Sequence, residues 1–188
     1  FDRPNIHLAF AVKDGPREKI LRFAGARRGQ SGIVYCGTRA KTETLAQALR
    51  AGAHAACFYH GGMDAEDRRR VEIRFQQEDG LIVVATVAFG MGIDKPDIRW
   101  VAHADLPKSI EGYYQEIGRA GRDGAAAETM TLYGPDDIRL RAGDELMDLA
   151  NLLNEATLPI REGRPIGKGE PGADPESGAQ EAIRRTAA

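Results

Sequence analysis

The sequence lacks the features that identify secreted, membrane-spanning or strongly basic proteins. Its two cysteines, Cys36 and Cys57, are too few for a disulfide framework or a four-cysteine zinc site. The longest apolar stretch, residues 81–89, is interrupted by Thr86 and is far shorter than the ~20 residues that a bilayer-crossing helix needs. The 26 Lys and Arg residues against 28 Asp and Glu residues give a net charge of −2, so any nucleic-acid contact must come from local sites. These absences favour a reducing, cytoplasmic setting without a membrane partner.

The chain has enough length and apolar content for one globular domain with a buried core, since 42% of its 188 residues are apolar. It starts at Phe1 without a basic and apolar leader, so we expect no signal peptide and a fragment of a longer chain. Residues 155–188 contain 5 Gly and 4 Pro among 34 residues and no aromatic side chain. The sequence therefore predicts a domain over residues 1–154 and a disordered or loosely docked low-complexity tail over residues 155–188.

Strand-like segments alternate with helix-like segments along the first 133 residues. The alternation of apolar residues from Ile6 to Val12 is the period of a half-buried strand, and the runs GIVYC and LIVVA are typical of strands buried on both faces. Parallel strands joined by helices place those helices on both faces of the sheet, so the pattern predicts an α/β fold with a mostly parallel central sheet. The predicted strands are residues 5–12, 32–36, 55–59, 81–85, 100–104 and 128–133, and the predicted helices are residues 16–28, 38–52, 64–77 and 109–118, with another from about Pro135.

Two stretches carry residues suited to nucleotide chemistry. Residues 86–94 read TVAFGMGID, and residues 115–124 read QEIGRAGRDG. Arg119 and Arg122 are three residues apart, which predicts that they share a face at a helix end. Guanidinium groups are planar and permanently charged, so this stretch predicts a triphosphate sensor, with a solvated helix face as the alternative. Ligands of parallel sheets bind at the carboxyl ends of strands, so we expect the chemistry in the loops after Cys36, Tyr59, Ala85 and Ala104.

These motifs and three others resemble the second RecA-like motor lobe of RecQ-family DNA helicases. The resemblance covers residues 1–140 and is carried by FDRPN at 1–5, GIVYCGTRAKTE at 32–43, FYHGGM at 58–63, IVVATVAFGMGIDKPDIR at 82–99 and YYQEIGRAGRDG at 113–124. It implies a RecA-like fold and, for the whole protein, ATP-dependent 3′–5′ DNA unwinding in DNA repair and recombination, in the bacterial cytoplasm at the nucleoid. Superfamily 2 helicases in general would share only the GRxGR core.

The resemblance also implies roles for residues near the nucleotide. Arg122 resembles an arginine finger that reaches the γ-phosphate across the lobe cleft, with Arg119 beside it, and such a finger supplies ~10³ to 10⁵ in rate. Gln115 would couple the nucleotide state to lobe closure. Asp94 is similar to a family position that faces the ribose or the finger, although related chains carry Asn there. The glycines expected beside the nucleotide are Gly92, Gly118 and Gly121.

Four residues resemble positions that touch the phosphates of single-stranded DNA in this superfamily. They are Thr38 and Thr86, with Arg39 and His60 as weaker candidates. Small hydroxyls and backbone N–H groups at strand ends hold a sugar-phosphate backbone without reading bases. Three of these residues have structural alternatives, because Thr38 is a good helix cap, Thr86 suits a turn and His60 could satisfy turn groups.

Other parts of a helicase are missing from this sequence. No G-x-x-x-x-G-K-[ST] phosphate loop occurs, because the nearest candidate, residues 163–169, lacks the spacing and the hydroxyl, and no D-E-x-H stretch supplies a magnesium-binding pair. The resemblance therefore implies that ATP and Mg²⁺ are bound mainly by a separate N-terminal RecA-like lobe, and that this lobe, single-stranded DNA and DNA junctions are the partners. The family's four zinc-binding cysteines are also missing, so we expect no zinc and no other metal in this chain.

Two alternative functions share these motifs. A non-catalytic module would bind DNA or a partner lobe and never complete an ATPase. An RNA helicase of the same superfamily would share the GRxGR core, and GMGIDKP at residues 90–96 favours the DNA branch by resemblance only. A Rossmann-type oxidoreductase is excluded, because no G-x-G-x-x-G follows the opening strand.

The isolated 188-residue chain should neither hydrolyse ATP nor unwind DNA, because it contains no phosphate loop. Phosphate-release and strand-separation assays on the purified chain test this, with cooperative urea unfolding as evidence that the sample is folded. ATP turnover that disappears in Arg122→Ala would contradict the assignment of a single motor lobe.

Overall fold

The described part of the chain contains six strands and four helices. The computed structural model describes residues 3–90 and 92–134, so the predicted helix near Pro135 and the tail over residues 155–188 lie outside the described residues. The strands are β1 (Ile6–Val12), β2 (Gly32–Tyr35), β3 (Ala56–Tyr59), β4 (Ile82–Ala85), β5 (Trp100–His103) and β6 (Ala127–Tyr133). The helices are α1 (Pro16–Gly25), α2 (Arg39–Ala51), α3 (Ala65–Gln77) and α4 (Ile110–Ile117).

The strands form one sheet in the order β1-β6-β5-β2-β4-β3, and all five pairings are parallel. The central strands β2 and β4 are buried along their whole length, as their uninterrupted apolar runs predicted, and β5 is buried along its whole length as well. The prediction of a mostly parallel sheet is therefore confirmed.

Helices cover both faces of this sheet, as predicted. One face packs against α1 and α2, whose buried residues join those of the sheet in one core cluster: Ile20, Ala24, Leu45, Ala46, Leu49, Val34, Val84 and Ala102. The other face packs against α3 and α4. Its clusters include Val71 and Phe75 of α3, Tyr113 and Ile117 of α4, and the strand residues Leu8, Phe10, Ile33, Val83 and Val101.

The first helix is shorter than predicted, because it ends at Gly25 rather than at residue 28. Residues 26–29 form a turn after the helix, and the Arg27 side chain folds back onto α1. The Arg27 guanidinium lies 3.5 Å from the centre of the Phe23 ring, donates to the Phe23 carbonyl over 2.8 Å and pairs with Glu128. These contacts stabilise a turn that sequence periodicity alone does not reveal.

The Trp100 ring lies in the core, where the side chain has no solvent exposure. It packs edge-on against Phe23, with ring centres 5.6 Å apart, and it lies directly over Gly32 on the neighbouring strand. A Cβ atom at Gly32 would be only 2.0 Å from Cε2 of Trp100. Glycine at this position is therefore required by the close approach of the ring.

Both cysteines are free thiols in the core. Burial raises the pKa of Cys36 to about 12 and the pKa of Cys57 to about 11. Both side chains are therefore protonated at neutral pH.

Gly32→Ala should destabilise the fold by about 3 kcal/mol or more, because the added methyl group overlaps the Trp100 ring. Gly25→Ala is the matched control, since a Cβ at Gly25 meets no atom within 4 Å and alanine favours a helix by up to ~1 kcal/mol. Urea unfolding followed by tryptophan fluorescence measures both changes. Equal stability of the two variants would contradict the packing described here.

Candidate functional site

The residues predicted to bind nucleotide or DNA gather in two places. Thr38, Arg39, His60 and Thr86 follow the neighbouring strands β2, β3 and β4, and we call this group the carboxyl-end cluster. The two arginines of the GRxGR core lie in the arginine turn, defined as residues 118–124. This turn packs against the β4–β5 loop, defined as residues 86–99.

Strand register brings the carboxyl-end cluster together. Tyr35, Ala85 and Tyr59 are level with one another at the ends of β2, β4 and β3. The backbone N–H of Thr86 donates to the Tyr59 carbonyl over 3.2 Å, so Thr86 and His60 leave the sheet side by side. This part of the site lies at the strand ends where it was predicted.

Thr38 and Arg39 are both exposed at the start of α2. Thr38 caps this helix as expected, because its Oγ1 accepts from the backbone N–H of Lys41 over 3.3 Å. A hydroxyl has one donor and two acceptor positions, so this cap leaves capacity for a further partner. The Arg39 guanidinium lies over Gly62, where an added Cβ would be 2.7 Å from Nη1.

His60 and Thr86 are less accessible than Thr38. His60 is 6% exposed, and its Nδ1 accepts from the backbone N–H of Gly62 over 3.2 Å. Nε2 of the same ring is then the donor to Oε1 of Glu43, over 2.9 Å. Thr86 is half-buried, and its carbonyl accepts from the Phe89 N–H over 3.0 Å in a turn.

Sequence reasoning missed Asp105, which connects three segments beside the carboxyl-end cluster. Its Oδ1 accepts from Nζ of Lys13 and of Lys41, over 2.5 and 2.7 Å, and its Oδ2 accepts from the Gly37 N–H over 2.8 Å. Burial raises the pKa of this carboxyl, but the hydrogen bonds from the two lysines and the backbone amide outweigh that effect and lower it to about 2. Asp105 therefore holds the Gly37–Thr38 segment against the end of β5.

The arginine turn begins where α4 ends, so the two arginines lie beyond the helix and do not share one of its faces, contrary to the prediction from their three-residue spacing. Helix α4 stops at Ile117, and the chain then turns continuously through both arginines. The reason is the pair Gly118 and Gly121: Gly118 closes the helix, and Gly121 adopts a φ of +57°, which suits a residue without a Cβ. The two side chains nevertheless reach the same β4–β5 loop.

Arg122 and Arg119 differ in how firmly they are held. Nη1 of Arg122 donates to Oδ1 of Asp94 over 2.8 Å and to the Ile93 carbonyl over 3.3 Å, and the Asp94 side chain is 85% exposed. Arg119 lies flat on Gly90 and donates to its carbonyl, and its buried Nε has no hydrogen-bond partner within the described residues. Arg122 is thus the accessible guanidinium, and Arg119 is packed into the loop.

The arginine turn is not at the carboxyl end of the sheet, where we expected the chemistry. The Gly121 N–H donates to the Ile98 carbonyl over 2.8 Å, and the Asp123 N–H donates to the Pro96 carbonyl over 3.3 Å. Both carbonyls belong to residues that precede β5, so the turn lies beside the start of that strand. The turn lies there because α4 runs back along the sheet before the turn begins.

The remaining residues predicted near the nucleotide surround this turn. Gln115 is exposed on α4, three residues before the helix closes at Gly118. Gly92 has a φ of +88°, and a Cβ there would meet no atom within 4 Å. Asp94 faces Arg122, which is one of the two places that the resemblance allowed.

A buried polar group beneath α4 was also missed. His103 has no solvent exposure, and its Nε2 lies 2.9 Å from Oε2 of Glu116 while its Nδ1 lies 3.1 Å from Oγ1 of Thr131. The ring stacks on Tyr35, whose hydroxyl donates to the Phe89 carbonyl over 3.4 Å. The sequence signal that could have revealed this group is a histidine, His103, inside an apolar strand together with a glutamate, Glu116, on the apolar face of a helix.

The chemistry of the arginine turn fits a polyphosphate anion. It presents one accessible guanidinium, and a second lies beside it against Gly90. In the segments 3–90 and 92–134, no group of three or more His, Cys, Asp or Glu side chains could hold a metal ion. None of the helices described here combines the length and the apolar composition that crossing a membrane requires.

Comparison with known proteins shows that the chain belongs to the helicase C-terminal domain family. Residues 16–124, more than half of the chain, match the family described as "Helicase conserved C-terminal domain". The matched residues contain both the carboxyl-end cluster and the arginine turn.

Within that family the chain is similar to RecQ-type helicases. It is 51% identical over 137 residues to "ATP-dependent DNA helicase RecQ" of Haemophilus influenzae and 44% identical over 146 residues to "ATP-dependent DNA helicase Q1" of Mus musculus. Each alignment covers 73% of this chain, but the chain spans only 22% of each relative. The prediction of a RecQ-type second lobe is confirmed.

The fold is likewise that of RecA-like helicase lobes. The RNA helicase Prp28 from Chaetomium thermophilum, solved with ADP, superposes with a TM-score of 0.65 at 23% identity, over 81% of this chain and 37% of that chain. At this identity the similarity establishes the fold alone.

Asp105→Asn should lower the free energy of unfolding at pH 7 by roughly 1 to 2 kcal/mol, allowing for partial solvent screening of the carboxylate. The pKa of Asp105 lies below its usual value of 3.8, so its stabilisation is present above about pH 4 and disappears as the pH falls towards 2. Stability should therefore differ between wild type and variant at pH 7 and converge near pH 2.

Urea unfolding at a series of pH values provides the measurement. Asp64→Asn is the control, because Asp64 is exposed at the start of α3 and forms no side-chain capping bond. An Asp105→Asn curve parallel to wild type across this range would contradict the assigned hydrogen bonds.

Proposed function

We propose that this chain is the second motor lobe of an ATP-dependent 3′–5′ DNA helicase and that Arg122 is its arginine finger. The observation that carries the proposal is the geometry of Arg122, whose guanidinium is accessible and is held by an exposed carboxylate at 2.8 Å. An exposed ion pair of this kind contributes only ~0 to 1 kcal/mol, so Arg122 can exchange Asp94 for a phosphate oxygen at little cost.

Arg119 has a different part in this proposal. Its guanidinium is packed on Gly90 and bonded to that backbone carbonyl, so it ties the arginine turn to the β4–β5 loop. Arg122 is attached to the same loop through Ile93 and Asp94. A change in the loop would therefore move both arginines together, and Gln115 on the exposed side of α4 would couple this movement to lobe closure.

In this proposal ATP is the substrate, and an N-terminal RecA-like lobe holds most of the ATP and its Mg²⁺ ion. Arg122 contributes positive charge where negative charge develops on the transferred phosphoryl group.

The carboxyl-end cluster would supply part of the path for single-stranded DNA. Thr38 and Arg39 are exposed, and Thr86 offers a half-buried hydroxyl beside them. These groups bind phosphates rather than base edges, so sequence preference should be small. His60 contributes least, because both of its ring nitrogens already have protein partners.

The test of Arg122 uses a two-lobe protein in which this chain is joined to the N-terminal motor lobe of the Haemophilus influenzae relative. Arg122→Ala should lower kcat for ATP by at least ~10³ and leave ATP binding nearly unchanged, because a finger acts on charge in the transition state. Arg122→Lys should restore little, since lysine loses the planar two-pronged contact. Arg119→Ala should also slow turnover and weaken nucleotide binding.

DNA-stimulated ATP turnover and nucleotide titration measure these effects. Arg70→Ala is the matched control, because Arg70 is an exposed arginine that pairs with Asp67 over 3.0 Å on α3. If Arg122→Ala kept near-normal kcat and lost only DNA affinity, Arg122 would belong to the DNA path. The assignment of Arg122 as the arginine finger would then be wrong.

A further inference from the structure

The segment that precedes β1 holds the arginine turn by its backbone. Nη2 of Arg3 donates to the carbonyls of Ala120 and Gly121, each over 2.9 Å, and Nη1 donates to the Gly118 carbonyl over 3.4 Å. One guanidinium therefore bonds three carbonyls of the arginine turn, and all three lie between or directly beside the two arginines.

Asn5 adds a second set of bonds to the same backbone. Its side-chain Nδ2 donates to the Gly121 carbonyl over 2.8 Å and to the Ala125 carbonyl over 3.0 Å. The backbone carbonyl of Asn5 accepts from the Ala127 N–H over 2.9 Å. Nε of Arg3 also donates to Oδ1 of Asn5 over 3.5 Å, which fixes the orientation of the amide. The two side chains thus act on the turn as one unit.

The turn needs such partners because of where it lies. The chain after α4 forms turns rather than a new helix or strand, so no helical or sheet ladder supplies donors to the carbonyls of Gly118 and Ala120. Gly121 lies so close to Asn5 that an added Cβ would be 2.6 Å from Nδ2. The conformation at Gly121 and the position of Asn5 therefore depend on each other.

We infer that Arg3 and Asn5 are positioning residues for Arg119 and Arg122, an inference that rests on the proposed function of the arginine turn. Their hydrogen bonds go to the backbone carbonyls of the turn, and they act by fixing the backbone from which Arg122 extends. Misplacement of a catalytic group by about 1 Å costs up to ~10²-fold in rate, so loss of these bonds should reduce turnover.

The first experiment measures catalysis in the two-lobe protein. Arg3→Ala should lower kcat for ATP roughly 10- to 100-fold with little change in KM, and Arg3→Lys should restore part of it, because an ammonium group replaces some of the three bonds. Combined with Arg122→Ala, the Arg3→Ala change should lower kcat no further, because the positioned group is already gone.

Arg28→Ala is the matched control. Arg28 also donates to two backbone carbonyls, those of Gly52 and Ala53, over 3.0 and 3.4 Å, but it lies away from the arginine turn. The Arg28→Ala change should lower the free energy of unfolding without lowering kcat. Equal kcat for the Arg3→Ala, Arg28→Ala and wild-type proteins would overturn the inference and leave Arg3 a structural residue.

The second experiment needs no catalysis and uses the 188-residue chain. Hydrogen exchange at the amides of Gly121 and Gly124 should be faster in Arg3→Ala and in Asn5→Asp, while amides of β2 and β4 should keep their wild-type rates. Unchanged exchange in the turn would also overturn the inference. If hydrogen exchange in the turn becomes faster in these variants but Arg122→Ala leaves kcat normal, Arg3 and Asn5 do position the turn, and the proposed function of Arg122 is wrong.

Discussion

The geometry of both sites depends on one constraint, which is that β4 and β5 are parallel and are joined by residues 86–99. A chain that leaves the carboxyl end of one strand must return to the start of the next parallel strand. This loop therefore begins beside the carboxyl-end cluster at Thr86 and ends beside the arginine turn at Ile98. One short segment contacts both the proposed DNA path and the proposed finger.

The return path is anchored to the sheet by apolar side chains. Phe89, Ile93 and Ile98 are buried in the same core cluster as Phe75 of α3 and the inner face of the central strands. Between these anchors lie Gly90 and Asp94, which contact the two arginines. The two ends of the loop are therefore joined by closely packed side chains rather than by free chain.

Much of the fold could be predicted from the sequence, because its signals are local. Uninterrupted β-branched runs mark strands buried on both faces, and a threonine before α2 marks the start of that helix. The end of α1 could not be predicted, since it depends on contacts of Arg27 with Phe23 and Glu128. Asp94 faces Arg122, which is one of the two partners expected for it, but the position of the arginine turn depends on the path of α4 through space.

Two of the contacts that sequence reasoning missed join residues far apart in the chain. Arg3 meets the arginine turn across more than a hundred residues, and Asp105 meets Lys13 across 92. The FDRPN stretch at residues 1–5 contributes to the family resemblance, but its local pattern does not indicate which groups Arg3 forms hydrogen bonds with. In the sequence these residues cannot be distinguished from ordinary surface charges, because their partners become neighbours only in the folded chain.

The burial of both thiols has a practical consequence for studying motor movement. A thiol reacts with maleimide dyes through its thiolate, and burial disfavours that form at Cys36 and Cys57. A cysteine introduced at an exposed position such as Val87 would therefore be labelled in preference to the two native thiols of this chain. The distance from that dye to a second dye on the other lobe would then report opening and closing of the cleft in single molecules.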